Sequence, residues 1–313
     1  MKLIFKTFLF LFFCHYASAQ ISDKTFQNPP SQYGIRCWWW WLNGNVTKEA
    51  ITRDLEEMKA KGFSGACIFD AGGQNQRGNG DVPEGPLWGS PAWRELYLHT
   101  INEADRLGLV MSLSIQSGWN LGGPDITPAE AAKQVVFSEI NIKGGNNIQQ
   151  VLPQPKGHEG FYQDIAVLAI PTKNTSNRLK IRDFENKAAT QEVGWSVPET
   201  RPLLTDTTAT EGEEDAKLSQ VLDLSNEVKN GFLNWNAPEG NWTIIRFGYS
   251  ATGRDVSTSS GKWQGLVIDY TSEKHFNRYW NTNVEPLLKM IGNKAGRTLK
   301  YLQTDSFEAG GMN

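Results

Sequence analysis

Cysteine is scarce: 313 residues carry three, at Cys14, Cys37 and Cys67. A scaffold held together by disulfides needs more. Cys37 and Cys67 both sit in apolar runs, which reads as buried free thiols; they could pair only if neighbouring strands brought them close. Histidine is scarcer still for a protein of this length, with His15, His99, His158 and His275 scattered along the chain. That spacing supports neither a histidine metal site nor a Ser–His–Asp triad. There is no excess of positive charge: the formal net charge is −3, which argues against a basic nucleic-acid surface. Beyond the amino-terminal segment no apolar run is long enough to span a bilayer. The glycines from Gly72 onward match neither a dinucleotide fingerprint nor a P-loop. No dense EF-hand-like loop occurs, although Asp, Glu, Asn and backbone carbonyls near the loops keep calcium open as a ligand. With 39% hydrophobic and 21% charged residues, the chain has the material for a core and too little charge to be disordered.

Tryptophan and glycine are abundant, at 12 and 30 residues. Glycine-rich loops with exposed aromatics suit sugar-binding clefts, and buried tryptophans would give the same count. The amino terminus has a basic start (Lys2, Lys6), an apolar stretch over residues 8–13 and a small-residue site at Ala17-Ser18-Ala19. This pattern predicts a signal peptide, residues 1–19, cleaved after Ala19 for export to the periplasm or the exterior.

Strands and helices then alternate. Residues 35–42 read as a buried strand. Thr47 is a good N-cap for a helix carrying Ile51, Leu55 and Met58 at helical spacing, which Gly62 ends. Residues 63–70 form a second strand, followed by a glycine-rich loop over 71–89. Ser90-Pro91 opens another helix with the apolar face Trp93, Leu96, Tyr97, Ile101, Ala104 and Leu107. A third strand covers 109–115. Thr127-Pro128-Ala129-Glu130 reads as a capping box that starts a further helix. The periodicity changes near residue 133. Strands are expected over 135–142, 164–170, 179–184, 221–224 and 243–249, with a polar loop over 205–215. A helix over 272–291, kinked by Pro286, precedes a fourth strand over 299–304.

The predicted fold class is α/β: the N-terminal half of a (β/α)8 barrel (residues 20–132 and 261–313, stopping after strand 4) interrupted by an inserted β-sandwich-like domain over 133–260. The barrel parts amount to about 160 residues, against about 250 for a complete barrel, so the arithmetic predicts a fragment.

Barrels place chemistry at the C-terminal ends of their strands. The first strand delivers Trp40, Trp41 and Asn43 there, the second Asp70, and the third Gln116, Ser117, Trp119 and Asn120. The fourth delivers Asp305 and Glu308. Carboxylates, amides and tryptophans on one face are what glycoside chemistry uses. Glu308 is the candidate acid; Trp41, Asn43, Asp70, Trp119, Asn120 and Asp305 are the candidate substrate contacts. Each also has a structural reading. Asp70 could cap a turn, and Asp305 could orient a neighbour. Glu308 could form a loop ion pair. Residues Trp38 to Trp41 alternate in direction, so two of the four should pack in the interior.

The run Arg36-Cys37-Trp38-Trp39-Trp40-Trp41-Leu42-Asn43-Gly44-Asn45-Val46-Thr47-Lys48-Glu49 resembles the opening of the α-L-rhamnosidases of glycoside hydrolase family 106. So do Ile51-Thr52-Arg53-Asp54-Leu55 with Met58-Lys59. The blocks Ser117-Gly118-Trp119-Asn120-Leu121-Gly122-Gly123-Pro124, Gly248-Tyr249-Ser250-Ala251-Thr252-Gly253 and Thr304-Asp305-Ser306-Phe307-Glu308-Ala309-Gly310-Gly311 follow in the same order. The resemblance implies an exported enzyme that removes terminal α-L-rhamnose from plant polysaccharides or glycosides, with an inverting two-carboxylate mechanism, a (β/α)8 catalytic domain and calcium assistance. It implies a glutamate acid in the last block, here Glu308, and a general base from a later strand. The alternatives are another barrel glycosidase, such as a β-galactosidase-like retaining enzyme, and a carbohydrate-binding module without catalysis.

Overall fold

The computed structural model describes residues 22–30, 33–72, 82–173 and 216–307. The expected signal peptide, residues 73–81 of the glycine-rich loop, the strand over 179–184, the loop over 205–215 and Glu308 lie outside the described residues.

A short helix, α1 (Asp23–Gln27), precedes β1 (Arg36–Leu42), α2 (Lys48–Ala60), β2 (Gly65–Ala71), α3 (Pro91–Leu107) and β3 (Val110–Ser117). The boundaries follow local chemistry. Thr47 Oγ1 accepts the Ala50 N–H at 3.2 Å, and Ser90 Oγ accepts that of Trp93 at 3.3 Å. Pro91 sits in the first turn of α3, where a missing N–H costs nothing. Gly62 and Gly108 take left-handed conformations, φ +85° and +67°, just past their helices. The strands pair in parallel with the order β1-β2-β3-β11, where β11 is Leu299–Gln303. One face of this sheet packs on helices: Trp39, Trp41, Ile68 and Leu113 share a core with Ile51, Leu55, Trp93, Tyr97, Leu287 and Ile291.

Between β3 and β11 in sequence lie antiparallel strands. These are β4 (Lys133–Lys143), β5 (Asn147–Val151), β6 (Tyr162–Thr172), β7 (Leu222–Asp223), β8 (Val228–Lys229), β9 (Phe232–Asn236) and β10 (Asn241–Ala251). They form two sheets, β4-β10-β6-β7 and β5-β9-β8. Both contribute to one core, with Val167, Ala169 and Ile244 from the first and Leu233 and Trp235 from the second. Trp235 and Trp242 meet edge to face at 5.3 Å.

The helix expected at Thr127 does not form. The capping contacts are made, with Glu130 Oε2 accepting the Thr127 N–H at 3.1 Å and hydroxyl at 2.8 Å. Only one turn follows. Ala131 bridges Ile268, and the Ala132 N–H donates to the Val267 carbonyl at 2.8 Å. Extended pairing takes the backbone donors a helix would need, and one hydrogen-bonded turn is an unfavourable nucleus by itself.

The helix expected over 272–291 is broken as Pro286 requires. It runs as α4 (Glu273–Tyr279), a π-helical turn (Trp280–Val284) and α5 (Glu285–Ile291). A proline has no N–H and crowds the carbonyl four residues back, so the ladder shifts to i→i+5 just ahead of it. Among the described residues no helix is long and apolar enough to cross a membrane.

Candidate active site

The four consecutive tryptophans of β1 divide between the two faces of the sheet, as strand alternation requires. Trp39 and Trp41 point to the helices. Trp41 is fully buried, edge to face with Trp39 at 5.8 Å and tilted against Trp93 at 5.5 Å. Trp38 and Trp40 lie on the opposite face and stay 45% and 40% exposed. There Trp38 stacks on Phe69 at 4.7 Å, and Trp119 meets Trp40 at 5.2 Å and Phe69 at 5.3 Å. The four rings form a continuous apolar wall leading to the C-terminal end of the sheet. Towards the N-terminal end, the Arg36 guanidinium lies 4.2 Å over the Tyr301 ring and donates to Ser112 Oγ at 3.3 Å.

The same alternation separates the two cysteines. Cys37 contacts Met58 on the helix side, with Sγ to Sδ at 3.8 Å, whereas Cys67 donates to Gln303 Oε1 at 3.5 Å on the other. Both thiols are free. Burial pushes that of Cys67 up to about 11, so it stays protonated and unreactive at neutral pH.

The polar residues at the strand ends hold a crossing segment, residues 257–261, down on the sheet. Asn43 Oδ1 accepts the Gly261 N–H at 2.7 Å, while its amide nitrogen donates to the Val82 carbonyl at 2.9 Å. Asn120 Oδ1 accepts the Ser257 N–H at 2.9 Å. Asp70 accepts from Ser117 Oγ at 2.5 Å, from Trp93 Nε1 at 3.1 Å and from Ser260 Oγ. The backbone adds Gly72 N–H to the Thr258 carbonyl at 2.8 Å and Trp119 N–H to that of Ser257 at 2.9 Å. These bonds hold Thr258 at φ +57°, a left-handed conformation that a β-branched residue rarely adopts. Burial pushes the Asp70 carboxyl up to about 6, against the opposing pull of the hydrogen bonds from Ser117, Ser260 and Trp93.

Of the seven residues singled out in the sequence, Asn43, Asp70 and Asn120 therefore come together, but on the crossing segment and buried. Trp119 stands half-buried at the mouth of the aromatic wall, and Trp41 lies on the far side of the sheet. Asp305 is half-buried just past β11, next to Ser306, whose N–H donates to the Trp119 carbonyl at 2.9 Å. Glu308 follows two residues after Ser306, outside the described residues. Trp38 completes the wall and was legible only as one of four alternating tryptophans. Ser260, 190 residues from Asp70 in sequence, has no local signal that would reveal its role. Among the described residues no three His, Cys, Asp or Glu side chains gather where they could hold a metal ion.

A profile of the alpha-L-rhamnosidases, glycoside hydrolase family 106, matches residues 27–179 and 173–313. A curated protein of Formosa agariphila named "Putative beta-glucuronidase" is 35% identical over 294 residues, which are 93% of this chain and 24% of that protein. The fold is similar to the solved structure of a rhamnosidase from Novosphingobium sp. PP1Y, with a TM-score of 0.70 and 22% identity over 93% of this chain and 40% of that one. The chain thus spans about a quarter of the length of the curated relative it matches.

Proposed function

The chain belongs to glycoside hydrolase family 106, the alpha-L-rhamnosidases, and from that premise we propose that it is part of an exported enzyme removing terminal α-L-rhamnosyl residues from plant polysaccharides or glycosides. The observation that carries this reading is the aromatic wall of Trp38, Trp40, Phe69 and Trp119, which reaches the end of the parallel sheet where such folds bind ligands. Flat aromatic rings suit the apolar face of a deoxy-sugar. In this reading the four parallel strands are half of a (β/α)8 barrel, and later strands of the polypeptide complete it.

Glu308 is the general acid. It protonates the glycosidic oxygen as the bond from that oxygen to the anomeric carbon breaks. A carboxylate from a later strand takes a proton from water, which attacks the opposite face of the sugar and inverts the anomeric centre. The two carboxyl groups of such a pair stand roughly 6.5–9.5 Å apart to leave room for the water.

Glu308→Gln tests the assignment. In the enzyme carrying its later strands, hydrolysis of a rhamnoside with a poor alkyl leaving group should fall by about three orders of magnitude or more. An activated aryl rhamnoside, whose departure needs little protonation, should lose far less. Equal retention on both substrates would remove Glu308 from the acid role. The curated relative's name favours a second reading, a β-glucuronide substrate. An aryl β-glucuronide in the same assay decides between them, since turnover of it without turnover of the rhamnoside overturns the first reading.

A further inference from the structure

Gln116, at the end of β3, is fully buried and spends its amide group unusually. Its Nε2 donates to the Trp119 carbonyl at 2.5 Å and reaches the Gly118 carbonyl at 3.4 Å. Both neighbours are acceptors, so only the amide nitrogen can face them. Oε1 is left buried without a partner among the described residues. An orphaned buried acceptor costs stability, and a leucine or methionine would fill the same volume without that cost. The compensation lies in what the nitrogen holds. The Trp119 carbonyl also accepts the Ser306 N–H at 2.9 Å, and the Trp119 N–H donates to the Ser257 carbonyl at 2.9 Å. The two peptide units that flank the Trp119 Cα are thereby fixed by β3's own side chain, by the continuation of β11 and by the crossing segment. The indole it carries meets Trp40 and Phe69 at the mouth.

We infer that Gln116 is a positioning residue: it sets the Trp119 indole as a pre-organised stacking surface for the sugar ring. This rests on the glycosidase reading above. Held in place before binding, the ring loses no further freedom when substrate arrives. The test compares Gln116→Leu, Trp119→Ala and the double variant in the enzyme carrying its later strands, with Gln116→Met in reserve should the leucine variant not fold.

With an aryl α-L-rhamnoside, Gln116→Leu should raise KM about tenfold and leave kcat within about twofold. Its melting temperature should be unchanged or higher, a combination that a purely structural role does not produce. In the Trp119→Ala background the same change should add nothing. An unchanged KM, or an effect that adds in full to Trp119→Ala, overturns the inference. If wild-type enzyme turns over no rhamnoside, the substrate reading fails, and the near-ultraviolet circular dichroism of the same variants still decides the role of Gln116. Gln116→Leu should then remove most of the difference band that Trp119→Ala removes, and a spectrum identical to wild type overturns the proposal.

Discussion

At the residue scale, Asp70 sets the strongest physical constraint. Its carboxyl is buried among Trp93, Ser117 and Ser260, and titrates near 6 where an exposed aspartate titrates near 3.8. The folded state therefore holds a proton that the unfolded state releases between those values. The stability this gives is complete below about 3.8 and is lost as the pH rises through 6; a carboxyl raised that far corresponds to ~3 kcal/mol. Asp105, Asp164 and Glu130 run the other way, with carboxyls held below their usual range by hydrogen bonds and neighbouring arginines. The overall curve mixes these signs, so the difference between wild type and Asp70→Asn isolates Asp70. Measured by chemical denaturation, the asparagine variant should fall further below wild type at pH 4 than at pH 7, by about 2 kcal/mol. A difference independent of pH would refute the buried titration. Asp70 was legible as a polar residue at a strand end, but its solvation was not: its partners come from α3, β3 and a segment beyond β10. The tryptophans show the same limit. Alternation sends two of Trp38 to Trp41 inward, yet a run with no polar residue gives no sign of which two.

At the scale of elements, caps and breakers were legible because they act within a few residues. Thr47, Ser90, Gly62 and Pro286 each leave their expected mark. The capping box at Thr127 misled because its outcome depends on Val267 and Ile268, far along the chain. The short strands β5, β8 and β9 were missed, since five or fewer residues carry too little alternation to stand out. Two glycines show how an element end and a long-range contact differ in energy. Gly62 is left-handed with open space around a would-be Cβ, so Gly62→Ala should cost about 1 kcal/mol, from backbone conformation alone. Gly118, φ +80°, ends β3 under the crossing segment, and a Cβ there would sit 2.3 Å from the Ser257 carbonyl oxygen. Gly118→Ala should therefore cost more than about 2 kcal/mol, by adding displacement of the segment to the same backbone strain. Urea denaturation of the two variants at constant m-value compares them, and equal losses would mean that the segment is not firmly seated.

At the scale of the whole molecule, the parallel sheet sets the problem. Parallel sheets are normally covered on both faces. Here helices α2, α3 and α5 cover one face, while the other presents Trp38, Trp40 and Tyr301, each at least 40% exposed. The strand–helix rhythm and the family blocks made four parallel strands legible. Which surface they leave open depended on the direction of each side chain, which only the structure supplies. If later strands of a barrel cover that face in the working enzyme, the 313-residue chain produced alone should carry an exposed aromatic surface. Patches of that kind bind hydrophobic dyes and drive self-association. The isolated chain should therefore bind anilinonaphthalene sulfonate while melting cooperatively, and should elute larger than a monomer in a concentration-dependent way. Replacing Trp38 and Trp40 together by serine should reduce both effects with little change in melting temperature, because neither ring belongs to the core beneath the helices. The helix-side pair, Trp39 and Trp41, would instead take the fold with them. A chain that stays monomeric and binds no dye would mean that this face is stable in water, and the proposal that further strands close over it would fall.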